Sequence, residues 1–159
     1  MLALWPIPGK RLLTMQIEKC GADQLPQWVA LRIALWPDED AQQIAAEASG
    51  MLAQADLLVL VAREGEAVIG FAEAAIRNDY VNGCKTSPVA FVEGIYVVPQ
   101  QRRRGVAKAM IAAIEAWAEQ QGLRELASDA LLDNAQSHAM HEALGFAETE
   151  RVVYFRKTL

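Results

Sequence analysis

The sequence predicts an α/β protein built on one mixed sheet, and three observations carry that expectation. A continuous apolar run over residues 57–63 turns at Glu64-Gly65-Glu66 and returns over residues 68–76, as a hairpin does. Residues 89–98 form the most strand-like stretch and lead through a basic loop into an amphipathic helix and a further strand. Such a strand–helix–strand unit is a crossover between parallel neighbours.

The remaining elements follow in order. Residues 15–19 read as a short first strand, and Asp23 is placed to cap a helix over 25–36 whose apolar positions Leu25, Trp28, Val29, Ile33 and Trp36 recur at helical spacing. Pro37 ends that helix, and Asp38 and Asp40 open a second one reaching residue 54. Asn82-Gly83 is the turn signal of a loop over 77–88. The crossover helix runs from Val106 to Gln121 and closes at Gly122; a strand over 123–129 follows, then a helix over 134–144 closed by Gly145. Residues 149–157, rich in β-branched and aromatic side chains, predict a final strand. With no repeat or linker in view, residues 15–159 form one domain, and residues 1–14 are expected to be an upstream extension outside the fold.

Composition narrows the function classes. The chain has 159 residues, 53% hydrophobic and 22% charged, with a formal net charge of −5. That balance argues against a nucleic-acid partner. Arg102, Arg103, Arg104 and Lys108 crowd four positive charges into one segment of an otherwise acidic body. Such a layout suits an anionic ligand at one spot and a cationic ligand elsewhere. Cys20 and Cys84 make no disulfide framework and no metal-ligand spacing, and no apolar run reaches membrane-spanning length. The first residues make a poor signal peptide, so a cytoplasmic protein without metal or membrane attachment is expected.

Ligands of parallel crossover units bind beyond the carboxyl ends of the strands, here residues 97–105 and 129–134. The segment Val97-Val98-Pro99-Gln100-Gln101-Arg102-Arg103-Arg104-Gly105-Val106-Ala107 follows a strand and opens a helix, where free amides and the helix dipole favour a phosphate or pyrophosphate. It is neither a Walker loop nor a dinucleotide fingerprint. Strand alternation puts Phe91, Glu93, Ile95 and Val97 on one face, so Glu93 stands in an apolar row and needs a partner: a bound ammonium group, or an Arg or Lys of the chain. Asp129 ends the next strand beside it, as a substrate ligand or a turn cap.

Arg102-x-x-Gly105-x-Ala107 after a strand ending in Val-x-Pro resembles the acetyl-CoA motif of GNAT N-acetyltransferases, and Asn134 with Met140-His141-Glu142-Ala143-Leu144-Gly145-Phe146 resembles the later motif of that family. The resemblance implies acetyl-CoA as co-substrate and a mixed sheet whose fourth and fifth strands splay apart. Pantetheine would pair with Ile95, Tyr96 and Val97; pyrophosphate would lie on the amides of Arg103, Arg104, Gly105, Val106, Ala107 and Lys108; Asn134 would bond the pantetheine arm.

The stretches Leu35-Trp36-Pro37, Asn78-Asp79-Tyr80-Val81-Asn82-Gly83, Val92-Glu93-Gly94, Ala127-Ser128-Asp129 and Glu148-Thr149-Glu150-Arg151 are similar to those of aminoglycoside 6'-N-acetyltransferases. By that resemblance Trp36, Tyr80, Glu93, Asp129 and Glu150 contact the aminoglycoside, and the chain is a homodimer. The implied reaction is direct attack by a neutral amine, with Asp129 or Glu93 as base. His141, where many members have a Tyr, would be the acid. A GNAT enzyme acting on a polyamine, lysine or peptide amine, and a catalytically silent acyl-CoA-binding module, are the alternatives.

Overall fold

The structure is a computed structural model that describes residues 14–159. The expectation of an extension over residues 1–14 therefore lies, Thr14 apart, outside the described residues. Five strands form one mixed sheet in sequence order: β1 (Met15–Lys19), β2 (Leu57–Glu64), β3 (Ala67–Arg77), β4 (Val89–Val97) and β5 (Leu126–Ser128). The first three junctions are antiparallel and β4 pairs with β5 in parallel. Helices α1 (Leu25–Leu35) and α2 (Ala41–Met51) precede β2, α3 (Val106–Gln120) makes the crossover, and α4 (Ala135–Ala143) follows β5.

The sheet separates two apolar layers. On one face Trp28, Ala48, Val59, Val61, Val68 and Phe71 are buried with side chains of α1 and α2. On the other, Val106, Met110, Ile111 and Ile114 of α3 pack on Leu58, Leu60, Ala72, Val92 and Val97, with Leu144 and Phe146 beyond α4 covering the edge. The buried positions of α3 fall along one stripe at helical spacing, which is why this helix was legible in the sequence. Asp40 caps α2, its carboxylate accepting from the amides of Gln42 at 2.8 Å and Gln43 at 3.4 Å.

Three expectations are corrected. Asp23 does not cap α1: it lies in a 3-10 turn over Ala22–Gln24, and the Gln24 side chain accepts from the Gly21 amide at 2.8 Å instead. Residues 149–157 form no strand, because strand propensity needs a neighbouring ladder and this segment has none among the described residues. The single-face alternation of β4 also fails. Glu73 pairs with Gly94 and Ala74 with Val92, so Glu93 is the extra residue of a β-bulge. Phe91 and Glu93 lie on the side of Arg77, and Gly94 touches Trp36. Val92, Ile95 and Val97 face α3. The bulge thus delivers a carboxylate and a side-chain-free position to the α1 face together.

Beneath that face lies a buried polar cluster. Glu73, 1% exposed, accepts from Trp28 Nε1 at 2.9 Å and pairs with Arg32 at 2.9 Å, and the guanidinium is flanked by the rings of Trp28 and Trp36 at 5.5 and 5.1 Å. Burial pushes the Glu73 carboxyl up, and Arg32 and Trp28 only partly counter it. Replacing Glu73 by Ala strands the Arg32 guanidinium without its counter-ion, so Glu73→Ala is expected to cost about 3–5 kcal/mol, measured by urea unfolding.

Candidate functional site

The parallel pairing of β4 with β5 covers only Ala90, Phe91 and Val92 against Leu126, Ala127 and Ser128. Beyond Val92, β4 continues to Val97 against β3 while β5 has ended, so the two strands part and residues 93–97, including Ile95, Tyr96 and Val97, have no strand partner on that side among the described residues. This is the opening that the sequence placed at the carboxyl ends of the strands. An extended amide-bearing ligand could add to that edge as a strand does.

At the far end of the opening, Arg103 and Gly105 adopt positive φ of 60° and 81°. They turn the chain so that successive amides converge, as in an anion-binding nest. Among the described residues nothing accepts a hydrogen bond from the amides of Arg103, Arg104, Gly105, Val106, Ala107 or Lys108. Orphan donors at a helix start fit a pyrophosphate. The arginine side chains divide their work. Arg102 Nε donates to the Val97 carbonyl at 2.9 Å and so ties the loop to β4, and Arg104 pairs with Glu64 at 2.8 Å. Arg103 and Lys108 have no ion-pair partner among the described residues. Asn134 caps α4, its side chain accepting from the Ser137 amide at 3.0 Å; its own amide nitrogen is left to donate.

The acids gather on the α1 side of the opening. Glu93 is bound in bidentate fashion by Arg77, at 2.9 and 2.7 Å, so the chain itself supplies the Arg partner foreseen as an alternative. Arg77 lies 3.5 Å from the Phe91 ring centroid, and Glu93 first, then Asp129 and Asp79, raise its pKa against the effect of burial. One cation therefore sits in the field of three carboxylates. A cleft of about 350 Å³ runs alongside, lined by Glu93, Glu73, Arg32 and Trp36 among others. Trp36 is held tightly, for a Cβ on Gly94 would come within 2.8 Å of its ring.

Tyr80 is 73% exposed in the loop after β3. That loop is anchored twice. Glu125 accepts from the amides of Lys85 and Thr86 at 2.9 and 2.6 Å, and Thr149 packs so closely on Gly83 that no Cβ would fit. The second anchor brings the segment bearing Glu150 next to the segment bearing Tyr80. Asp129 and Glu150 are exposed.

His141 is engaged through both ring nitrogens. Nδ1 lies 2.8 Å from the Ser137 carbonyl, Nε2 lies 2.8 Å from Ser128 Oγ, and the ring meets Phe146 edge-on at 5.2 Å. Sequence reasoning missed Ser128, Arg77, Arg32 and Glu73. Their pairings span many residues and leave no periodic trace. Cys20, pushed up to about 11 by burial and then by Glu73 and Glu18, and Cys84, raised by burial and Glu125, are poor nucleophiles. Among the described residues no group of His, Cys, Asp and Glu is arranged to hold a metal ion.

The sequence matches the Acetyltransferase (GNAT) family over residues 18–146. The chain belongs to that family. An aminoglycoside N(6')-acetyltransferase type 1 from Serratia marcescens is 51% identical over 141 residues, 88% of this chain and 97% of that protein. A protein of the same description from Acinetobacter baumannii is 49% identical, over 91% of this chain and 99% of its own. Among solved structures, AAC(6')-Iy in complex with the bisubstrate analogue CoA-S-monomethyl-acetylneamine superposes with a TM-score of 0.88 at 44% identity, covering 92% of this chain and 99% of that one.

The mixed sheet and the parted strands agree with what the resemblance to GNAT acetyltransferases implied, and AAC(6')-Iy has also been solved in complex with CoA. Gly105 meets nothing where a Cβ would stand, so its φ of 81° alone demands glycine. Gly105→Ala is expected to cost about 1–2 kcal/mol of backbone strain at the nest. Coenzyme A binding should weaken about tenfold by titration calorimetry, and the melting temperature should fall by only a few degrees.

Proposed function

We propose that the protein transfers the acetyl group of acetyl-CoA to the 6'-amine of an aminoglycoside, by direct attack within a ternary complex, and thereby confers resistance. The single observation that carries the reading is the pairing of an orphan-amide nest and open β4 edge on one side of the parted strands with a carboxylate cluster on the other. It agrees with the aminoglycoside N(6')-acetyltransferases that cover nearly the whole chain.

In this reading the backbone of Ile95, Tyr96 and Val97 holds the pantetheine arm, the amides of Arg103 to Lys108 hold the pyrophosphate, and Asn134 donates to the arm. Trp36 and Tyr80 cover sugar rings, and Glu93, Asp129 and Glu150 receive ammonium groups. An arriving ammonium group competes with Arg77 for Glu93, which selects multiply charged acceptors over single amines. Glu93 or Asp129, directly or through water, takes the amine proton. A β4 amide near Ile95 donates to the developing oxyanion. With both cysteines poorly ionised, no acyl-cysteine is needed.

We further propose a cytoplasmic homodimer. Val153, Tyr154 and Phe155 are 77%, 83% and 93% exposed in a strand-competent segment without a ladder, and the outer edge of β5 is open among the described residues. A second copy, contributing its own segment and the loop of Tyr80, would cover both. The two cysteines are free, and no described helix is long and apolar enough to cross a membrane.

Thiol release from acetyl-CoA should rise with kanamycin or tobramycin and stay at background with spermidine or lysine peptides; the reverse pattern would sink the proposal. Glu93→Gln and Asp129→Asn are each expected to lower kcat/KM for tobramycin on the order of 100-fold, with coenzyme A affinity unchanged. Light scattering should give twice the chain mass for the wild type and the single mass for Val153→Asp/Phe155→Asp. A monomeric wild type would refute the dimer.

A further inference from the structure

We propose that Ser128 is the proton donor to the departing thiol and that His141 acts behind it, as a relay, rather than as the acid itself. The inference deepens the acetyltransferase reading and rests on it. The Ser137 carbonyl can only accept, so Nδ1 of His141, 2.8 Å away, carries a proton in every state of the ring. Nε2 is left facing Ser128 Oγ at 2.8 Å, and His141 has no free nitrogen with which to reach a ligand. The Ser137 hydroxyl, 3.3 Å from Nδ1, stands on the same side as the carbonyl.

The position of Ser128 gives the pair its use. It is the last residue of β5 and pairs with Val92, the residue after which the two strands part. A thioester held along the open edge of β4 and attacked from the Glu93 and Asp129 side carries its sulfur toward the vertex of that opening, where Ser128 stands.

Two protonation states follow. With His141 neutral, the Ser128 hydroxyl donates to Nε2 and its proton is withheld. With His141 as imidazolium, Nε2–H donates to Oγ, and the hydroxyl proton must point elsewhere, into the opening. As the C–S bond breaks, its electron pair passes to sulfur. Ser128 Oγ–H gives its proton to that sulfur while Nε2–H gives its own to Oγ. The serine is never charged, and solvent reprotonates the imidazole. The charged groups nearby in the chain are Asp129 beside Ser128, His138 and Glu142 on α4, and Glu148 beyond Gly145. None hydrogen-bonds the ring, and Glu93 is occupied by Arg77.

The test measures thiol release at saturating acetyl-CoA and tobramycin across pH for the wild type, Ser128→Ala, Ser128→Thr, His141→Gln and the Ser128→Ala/His141→Gln double variant. Ser128→Ala and His141→Gln are each expected to lower kcat on the order of 100-fold with both KM values within about twofold. The double variant should lose no more than the worse single one, as members of one unit do. Ser128→Thr keeps the hydroxyl and should stay within about threefold of the wild type. An alkaline fall in kcat should be present in the wild type and Ser128→Thr and absent from the other variants. Coenzyme A affinity by calorimetry separates a lost relay from a lost fold. A Ser128→Ala variant with wild-type kcat, multiplicative losses, or an alkaline fall surviving His141→Gln would overturn the relay. Wild-type silence toward tobramycin would instead overturn the aminoglycoside reading, and the relay is then measured on whichever amine the wild type acetylates.

Discussion

The parallel ladder between β4 and β5 stops at the pair Val92–Ser128, and the rest of the site depends on that stop. A longer ladder would satisfy the backbone of residues 93–97 internally and leave no edge for a ligand to join. By ending at three residues the protein leaves half-buried residues 93–96 of β4 without a strand partner on that side among the described residues. The N-terminus of α3 stands over the same end because a right-handed crossover places it there. In the proposed reading donor binding is a property of topology that side chains only trim: Arg102 and Arg104 hold the loop to Val97 and Glu64.

The acceptor side is built by a different device. The bulge at Glu93 turns two successive residues to one face, a carboxylate and a glycine, and the ring of Trp36 settles on the glycine. Below them Arg32 lies between two indoles and neutralises the buried Glu73. This buried, mutually paired cluster lines the cleft and gives it a rigid floor. The acids above it differ in setting: half-buried Glu93 is held by Arg77, and Asp129 and Glu150 are exposed.

Much of this architecture was readable from the chain. The hairpin of β2 and β3, α3 and its glycine stop, and the loop between β4 and α3 announce themselves through local patterns, and the motifs around Arg102 and Asn134 supplied the family. What was not readable depends on distance along the chain. Whether Glu93 faces an apolar row or Arg77 turns on one extra residue in a ladder, which alternation cannot register. The partnership of Ser128 with His141 spans thirteen positions and two elements. Residues 149–157 have the composition of a strand, but composition cannot provide a neighbour, and among the described residues none is given.

The contact between Thr149 and Gly83 has an evolutionary reach. It couples two surface segments to each other, and the first of them is also tied to the sheet through Val81 against Val89 and Phe91 and through Glu125. A substitution that displaces one segment therefore displaces the other, so the two are expected to vary together among relatives.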